Sequence, residues 1–354
     1  MEDIFNEVIK HQTLLDLLRN RQISITINKN IIAKLRTILA LYTGLIVTDY
    51  TVEELIYLSK RYIIKAGIFT GFHCSYVVSD AVTSLTTISQ VFTSGRYNIL
   101  AKNSNVFIPI ANLYDVRRMS RSCWYASTTL LITTIEGKAS FYSRDEYGKV
   151  ISKPLDYRNI SEIAVVENNI FLLQSNQDLY HILGESSELI YRGIWSISAI
   201  SPNRILLIGN DKQVYVYDIK EMSCPKVILN NGKNFGLIAI KSGWDCYILL
   251  NDNGELILDY KEDKVIAAGV IDFVKLDSYL IILTRTGKLV IKNKQLKDIY
   301  QMSGVLKIAG IDDYALILTT DEKVYGFGAN QYGQLGTGDK ISRDLPTLVM
   351  DLKA

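Results

Sequence analysis

The chain has 354 residues, 48% of them apolar, which excludes a disordered protein and indicates one large all-β domain or two domains of ordinary size. Its 39 basic and 37 acidic residues give a formal charge of +2 without a polybasic run, so direct nucleic-acid binding is not expected. The most apolar stretch, residues 38–47, is too short to cross a bilayer, and the four cysteines are scattered as in a reducing compartment. With an acidic N-terminus unlike a secretory signal, we expect an intracellular protein, cytoplasmic or nuclear.

Residues 1–66 predict a small all-α N-terminal segment. Residues 2–20 and 28–45 repeat apolar side chains with a period near 3.6, as helices do. A third helix is predicted from Thr51, the N-cap, with Glu54 as its capping-box partner. Because the apolar residues need burial, the segment is either a second small domain that recruits a protein or a cap packed on the rest of the chain.

From residue 67 onward, short apolar strands alternate with tight polar turns, as in residues 203–219, 245–260 and 278–293. Each such unit has the pattern of a β-hairpin. One turn position per unit marks the repeat: Ser104, Gly137, Gln177, Lys212, Gly254, Gly287 and Glu322. The markers are 33 to 42 residues apart with no helix between them, which predicts a seven-bladed β-propeller over residues 67–354.

The stretch VYGFGANQYGQLGTGD, residues 324–339, holds five of the 22 glycines of the chain. It resembles the repeat of the regulator of chromosome condensation family, V-Y-x-W-G-x-N-x-x-G-Q-L-G-x-G followed by a Pro and a Val. The residues that fit are Val324, Tyr325, Gly328, Asn330, Gly333, Gln334, Leu335, Gly336, Gly338, Pro346 and Val349. Phe327 replaces the usual Trp, and only the last 45 residues carry the motif, since the other units have drifted. The resemblance implies a propeller of that family's type.

The glycines of this motif are interpreted as structural. Gly328, Gly333, Gly336 and Gly338 allow positive φ and close backbone approach in a tight loop between blades. Asn330 is expected to bridge turn amides and Leu335 to tuck under the loop. We further expect the C-terminal strand, residues 345–352, to close the ring by pairing into the first blade beside residues near 95–110.

Chemical sites are not expected. Gly326, Gly328 and Gly333 read as a near miss to a dinucleotide fingerprint, but such a site needs a helix start and then a βαβ unit after its glycines, and GQLGTGD is a poor helix start. His73 and Cys74 supply at most two of the ligands that zinc requires. The paired acids Asp312–Asp313 and Glu53–Glu54 fit solvated turns and helix caps. The sequence therefore predicts no catalytic, cofactor-binding or metal-binding residue, and a protein that is not an enzyme.

The favoured function is a protein-interaction module or adaptor, because propellers present the loops of many blades. The family resemblance implies two sharper alternatives: guanine-nucleotide exchange on a small GTPase, and docking on chromatin or histones. A third alternative is a structural component of a large assembly, and the Ile-, Asn-, Lys- and Tyr-rich usage is compatible with an AT-rich genome such as that of a large virus or a parasite. The partner is expected to be a protein; its binding residues and the oligomeric state are left open.

Overall fold

The computed structural model describes residues 32–33, 36–37, 39, 45–63, 66–71, 73–82, 87–96, 99–110, 113, 116–121, 130–134, 138–144, 149–166, 169–183, 186–201, 203–211, 213–221, 226–229, 237–242, 247–258 and 264–353. The helix predicted at residues 2–20 lies outside them. Helix α1 spans Val52–Ile63 and begins with the predicted capping box: Thr51 N donates to Glu54 Oε2 at 2.8 Å, and Glu54 N donates to Thr51 Oγ1 at 3.2 Å. Among the described residues, no helix is long and apolar enough to span a bilayer.

Within the described residues, twenty-eight strands follow, and they form seven four-stranded antiparallel sheets, each from consecutive strands. Blade 1 comprises β1 Gly67–Gly71, β2 Cys74–Val82, β3 Thr87–Gly95 and β4 Ser104–Pro109. Blade 2 comprises β5 Val116–Arg121, β6 Leu130–Thr134, β7 Ala139–Arg144 and β8 Val150–Leu155. Blade 3 comprises β9 Ile160–Val166, β10 Asn169–Gln174, β11 Asp178–Leu183 and β12 Ser186–Arg192. Blade 4 comprises β13 Ile194–Ser201, β14 Arg204–Gly209, β15 Val214–Asp218 and β16 Lys226–Leu229.

The last three blades have the same meander. Blade 5 comprises β17 Leu237–Ser242, β18 Tyr247–Asn251, β19 Leu256–Leu258 and β20 Lys264–Ala267. Blade 6 comprises β21 Val270–Lys275, β22 Tyr279–Thr284, β23 Leu289–Asn293 and β24 Asp298–Met302. Blade 7 comprises β25 Val305–Ile311, β26 Tyr314–Thr319, β27 Lys323–Gly328 and β28 Arg343–Asp351. The first strands of successive blades lie beside one another around the whole ring, and β25 returns to β1. The fold is thus a closed seven-bladed β-propeller.

The core is divided among the spaces between blades. Seven clusters of buried apolar side chains fill the seven spaces, one for each pair of neighbouring blades, including the space between blades 7 and 1. The second strands supply continuous apolar runs such as Tyr314–Thr319, because they are covered on both faces. Every blade therefore depends on its two neighbours for burial, as in other repeat proteins.

The propeller has two faces. The upper face carries the turns between second and third strands, at Gln177, Gly254, Gly287 and Glu322, which all have positive φ. The first residue of the next blade donates a backbone hydrogen bond to three of these turns: Ile194 N to Gln177 O at 3.0 Å, Val270 N to Gly254 O at 2.8 Å, and Val305 N to Gly287 O at 3.0 Å. The lower face carries the turns between first and second strands. The sequence markers Gln177, Gly254, Gly287 and Glu322 therefore occupy the same position in their blades, the turn between the second and third strands.

Two sequence expectations about the first blade are wrong. Ser104 begins β4 and is not at a turn between second and third strands, which in blade 1 lies between β2 and β3. The C-terminal strand does not pair into blade 1: β28 pairs with β27 in its own sheet. The physical reason is the same for both, because residues 67–109 already supply four strands to blade 1 and leave no place for a fifth.

The N-terminal arm, residues 45–63, lies on the upper face across blades 5 to 7. Ile46 N donates to Asp252 O at 2.7 Å in blade 5. The ring of Tyr57 packs against Gly287 of blade 6, so closely that a Cβ on Gly287 would stand 2.7 Å from Tyr57 Cε2. The Tyr57 hydroxyl donates a hydrogen bond to Val305 O of blade 7. Of the two alternatives for the helical segment, the described part is a packed cap.

Apolar and ionic contacts both hold this arm. Leu55 and Leu58 are fully buried in the cluster between blades 6 and 7. Arg285, on the upper face of blade 6, forms ion pairs with Asp49 at 3.0 Å and Glu54 at 2.9 Å. Its guanidinium also stands 5.0 Å from the centre of the Tyr50 ring, a cation–π distance. The arm is therefore an integral part of the folded propeller.

Candidate functional site

The motif residues of the sequence are gathered in blade 7. Val324, Tyr325 and Gly328 lie on β27, and Pro346 lies on β28. The rest of the motif, Asn330 to Gly338, lies in the long loop between these strands, residues 329–342, which we call the clasp. The clasp leaves its own blade on the lower face and reaches the outer strand of blade 1, where Thr337 forms a β-bridge with Val106.

Asn330 organises the clasp from within. Its side chain is fully buried, and its Oδ1 accepts a hydrogen bond from Leu335 N at 2.9 Å. Its Nδ2 lies 2.9 Å from Thr337 Oγ1, 3.1 Å from Asp339 O and 3.2 Å from Ile341 O. One amide group thus joins both ends of the loop, while Leu335 is fully buried beneath it.

Ion pairing fixes the exit of the clasp. Asp339 Oδ2 accepts from Arg343 Nη2 at 2.7 Å, and Asp339 Oδ1 accepts from Thr337 Oγ1 at 2.8 Å and from Ile341 N at 3.1 Å. The hydrogen bond from Arg343, followed by those from Thr337 and Ile341, lowers the pKa of Asp339 to about 2. The carboxylate is therefore charged at any ordinary pH, and its ion pair with Arg343 does not depend on pH in that range.

Hydrogen bonds join the clasp to blade 1. Gly338 N donates to Asn105 O at 2.7 Å, and Asn105 Nδ2 donates to Gly338 O at 2.6 Å. Ser94 Oγ donates to Gln334 O at 3.0 Å. These bonds close the ring in place of the shared strand that the sequence led us to expect.

The glycines of the clasp lie where the two blades touch. Gly333 and Gly336 both have a φ of 75°. A Cβ on Gly333 would stand 2.7 Å from Asn105 Cα, and one on Gly336 would stand 2.4 Å from the ring of Phe107. Glycine is required at both positions by its backbone conformation and by lack of space.

A second closure contact comes from the body of blade 7. Tyr314 is buried on β26, and its hydroxyl lies 2.8 Å from Gly71 O and 2.6 Å from Cys74 O, both in blade 1. Burial raises the pKa of Tyr314 well above its ordinary value, so the hydroxyl keeps its proton and stays a donor. The sequence reading missed this role, because an apolar strand with one Tyr gives no signal of a contact 240 residues away.

The sequence also raised His73, Cys74 and the Asp312–Asp313 pair as candidates for chemistry, and each of them lies in a packed contact or a turn. The ring of His73 lies against the ring of Tyr332 in the clasp, with 3.6 Å between centroids and a tilt of 33° between the ring planes. Cys74 is fully buried and its Sγ lies 3.6 Å from Tyr76 Oη. Asp312 and Asp313 form the lower-face turn of blade 7. Within the described ranges, no three His, Cys, Asp or Glu side chains converge in a way that would hold a metal ion.

The outer edge of blade 7 is the most exposed apolar part of this region. Ile341, at the end of the clasp, has an exposed fraction of 67%, and Leu345 and Leu348 on β28 follow with 56% and 50%. These three residues fall within eight positions of the chain. Exposed apolar side chains on an outer strand and its adjoining loop are available for burial against another protein.

Comparison with known proteins agrees with this geometry. Residues 321–354 match the family model of the regulator of chromosome condensation (RCC1) repeat. This segment contains the third strand of blade 7, the clasp and β28, so the match falls on the part of the chain that closes the ring.

Solved structures are similar to this chain in fold over about three quarters of its length. Prp20p from Saccharomyces cerevisiae, a structure reported with its binding properties to Gsp1p and histones, matches with a TM-score of 0.58 and 12% identity over 75% of this chain and 87% of that one. Yeast RCC1 (Prp20) bound to Kap60 matches with a TM-score of 0.55 and 11% identity over 72% and 80% of the two chains. PorZ of Porphyromonas gingivalis, a surface component of the type-IX secretion system, matches with a TM-score of 0.50 and 12% identity over 79% of this chain but 38% of its own. The chain is an RCC1-like seven-bladed propeller.

Proposed function

We propose that this chain is a protein-interaction module, an adaptor built on an RCC1-like propeller, and not an enzyme. The observation that carries the proposal is the exposed apolar edge of blade 7, formed by Ile341, Leu345 and Leu348. Single exposed apolar residues are ordinary on a protein surface, but a group of them on one strand and its adjoining loop offers area for burial against a partner. The partner that fits is a protein with apolar side chains.

The N-terminal segment supports this proposal as a cap. We propose that the N-terminal segment acts as a cap and does not recruit a partner on its own. Its described part, residues 45–63, covers part of the upper face and holds one helix, α1, after the non-helical residues 45–51. The support is the arm, where Leu55 and Leu58 are buried against the propeller and Arg285 pairs with Asp49 and Glu54. Partner binding is thereby assigned to the blade edges and the lower face. We further propose an intracellular, cytoplasmic or nuclear location, as the scattered spacing of the four cysteines suggests.

A second candidate is guanine-nucleotide exchange on a small GTPase. The observation in its favour is the repeat motif from Val324 to Pro346 together with the match of residues 321–354 to the RCC1 repeat model. An exchange factor binds its GTPase most tightly when the nucleotide is absent. This property separates it from an adaptor, whose affinity does not depend on nucleotide.

The test is a capture experiment with the purified full-length chain as bait, in lysate of cells that express it, with and without EDTA. Its variants are the double substitution Ile341→Ser/Leu348→Ser and a matched control, Val265→Ser/Ile299→Ser. The control residues are exposed by 49% and 43% on the outer strands of blades 5 and 6. An adaptor that uses the blade 7 edge keeps its partner with the control, loses it with the first variant, and is indifferent to EDTA.

Two other results would overturn parts of the proposal. Capture of a GTPase in EDTA alone would establish the exchange factor and refute the adaptor. Equal capture by the wild-type chain and by both variants would show that the partner does not bind the blade 7 edge.

A further inference from the structure

The lower-face turn of blade 7, residues 312–314, connects three parts of the closure. Asp277 N of blade 6 donates to Asp312 O at 2.7 Å. Ala329 N, the first residue of the clasp, donates to Asp313 O at 2.9 Å. The hydroxyl of Tyr314 lies within hydrogen-bond distance of the carbonyl oxygens of Gly71 and Cys74 in blade 1, and its one proton is shared between them. A displacement of this one turn therefore acts on blade 6, on the clasp and on blade 1 together.

On the side of the clasp, the turn is tightly packed against the backbone at Gly328. Gly328 has a φ of 92°, and a Cβ there would stand 2.1 Å from Asp313 O. Asp312 itself has a φ of 51°, in the left-handed region that Asp and Asn tolerate better than other side chains. The backbone around these three residues is thus held in an unusual conformation by its neighbours.

Three carboxyl groups meet at this crowded turn. Asp312 faces Asp277 of blade 6 and Asp313 and Tyr314 of its own turn, while the ammonium of Lys275 on β21 donates to Leu276 O. Asp313 Oδ1 is buried without a hydrogen-bond partner. Within the part of the chain that the structure describes, neither Asp312 nor Asp313 has an ion pair. Asp312 and Asp313 are half-buried, and like charges in partly buried surroundings repel one another more strongly than in water.

Burial, followed by the charges of Asp277 and Asp313, raises the pKa of Asp312 to about 6. The folded state therefore binds a proton more tightly than the unfolded state, in which the carboxyl has an ordinary pKa of about 3.9. The stabilisation from this proton is fully present below the unfolded value and is lost as the pH rises through about 6. The change falls close to neutral pH.

We propose that the turn at residues 312–314 is a pH-responsive joint, in which ionisation of Asp312 beside Asp277 and Asp313 loosens the closure between blades 7 and 1. Repulsion displaces the turn, and the displacement is transmitted through Asp313 O to the clasp and through Tyr314 to blade 1. A protonated Asp312 keeps the ring tightly closed, and a charged one makes opening of the clasp more frequent.

Hydrogen exchange of the full chain, measured by mass spectrometry at pH 5.5 and 7.5 and corrected for intrinsic rates, tests this joint. The test variant is Asp312→Asn, which keeps a side chain suited to positive φ but cannot ionise. The control is Asp321→Asn, an exposed turn carboxylate in the same blade with a lowered pKa. In the wild type and the control, protection of residues 329–342 should fall about fourfold at the higher pH, because a pKa of about 6 in the closed state and about 3.9 in the open state gives a change of that size between pH 5.5 and 7.5. In Asp312→Asn it should stay constant.

A second variant, Asp277→Asn, removes one of the repelling charges and should move the change to lower pH without abolishing it. Equal loss of protection in the wild type and in Asp312→Asn would overturn the proposal, because another group would then titrate. Constant protection of the wild-type clasp across this range would overturn it as well.

Discussion

Gly333 of the clasp lies against the backbone of Asn105 in blade 1, and a Cβ on Gly333 would stand 2.7 Å from Asn105 Cα. The two residues are far apart in sequence, yet they meet where the ring closes. Backbone cannot move aside as the end of a flexible side chain can. This contact therefore sets how closely the last blade approaches the first.

Gly333→Ala should weaken the closure more than Gly338→Ala does. Both glycines have positive φ, 75° and 86°, so alanine costs about 1–2 kcal/mol of conformational strain at either site. At Gly338 the nearest atom to a Cβ is Val106 Cγ1 at 3.7 Å, an ordinary contact. At Gly333 the clash with Asn105 should add about 1–3 kcal/mol, as overpacking does. Thermal unfolding of the two variants measures the difference, and equal melting temperatures would contradict the proposed contact.

The closure shows what the sequence can and cannot predict. The glycines and Asn330 stand in a contiguous motif, so their place in a tight inter-blade loop could be read from their order. Their partners Ser94, Asn105 and Tyr314 could not, because each belongs to a strand whose sequence does not indicate what lies beside it. The wrong pairing of residues 345–352 followed from the general expectation that a propeller closes its ring with a strand shared with the first blade. The first marker was misplaced at Ser104, since the chain between β2 and β3 lacks a glycine such as Gly254 or Gly287.

Asn330→Ala should destabilise the protein by about 2–4 kcal/mol, because Leu335 N and several acceptors of the clasp would lose a buried partner. The control is Asn176→Ala. Asn176 also bridges a turn, with Nδ2 at 2.9 Å from Asp178 Oδ2, but it is exposed and water can replace it. Chemical denaturation of both variants decides the matter, and an effect of Asn330→Ala no larger than that of the control would show that the clasp does not depend on this amide.

Acid should weaken the contact between blades 3 and 4 through His181. This side chain is fully buried, stacks on Phe171 at 4.5 Å and bonds Asn169 Oδ1 at 2.9 Å, and burial lowers its pKa to about 4. The unfolded chain takes up a proton below an ordinary pKa of about 6.5, whereas the folded chain resists it until pH 4 or so. Stability is therefore lost as the pH falls from 6.5 towards 4.

His181→Gln separates this effect from the other titrating groups. Glutamine can still donate to Asn169 but does not ionise, so its stability should fall less between pH 7 and pH 4.5, by on the order of 1–3 kcal/mol. The measurement is the unfolding free energy of both proteins at a series of pH values. Parallel curves for the wild type and the variant would exclude His181 as the source.

The β-propeller was predictable because the turn positions that repeat in the sequence make the same contact in the structure. The carbonyl groups of Gln177, Gly254 and Gly287 each accept a backbone hydrogen bond from the next blade. The capping box of α1 was predictable because Thr51 and Glu54 are local to it. The binding position of the N-terminal arm on the upper face was not predictable. It depends on Arg285 and Gly287, which in the sequence belong to a turn like many others. Long-range ion pairs of this kind leave no mark in the pattern of a single chain.

Arg285→Ala should loosen the arm without unfolding the blades. It removes the ion pairs with Asp49 and Glu54 and the contact with the Tyr50 ring, but leaves Leu55 and Leu58 buried. Because Arg285 is partly exposed, we expect a loss of about 1 kcal/mol, seen as several-fold faster hydrogen exchange in residues 45–63 with little change in blade 3. The control is Arg192→Ala, whose ion pair with Asp178 is long, 3.7 Å, and whose side chain is largely exposed. If the arm exchanges equally in both variants, the apolar contacts alone hold it to the upper face, and the ion pairs only set its orientation.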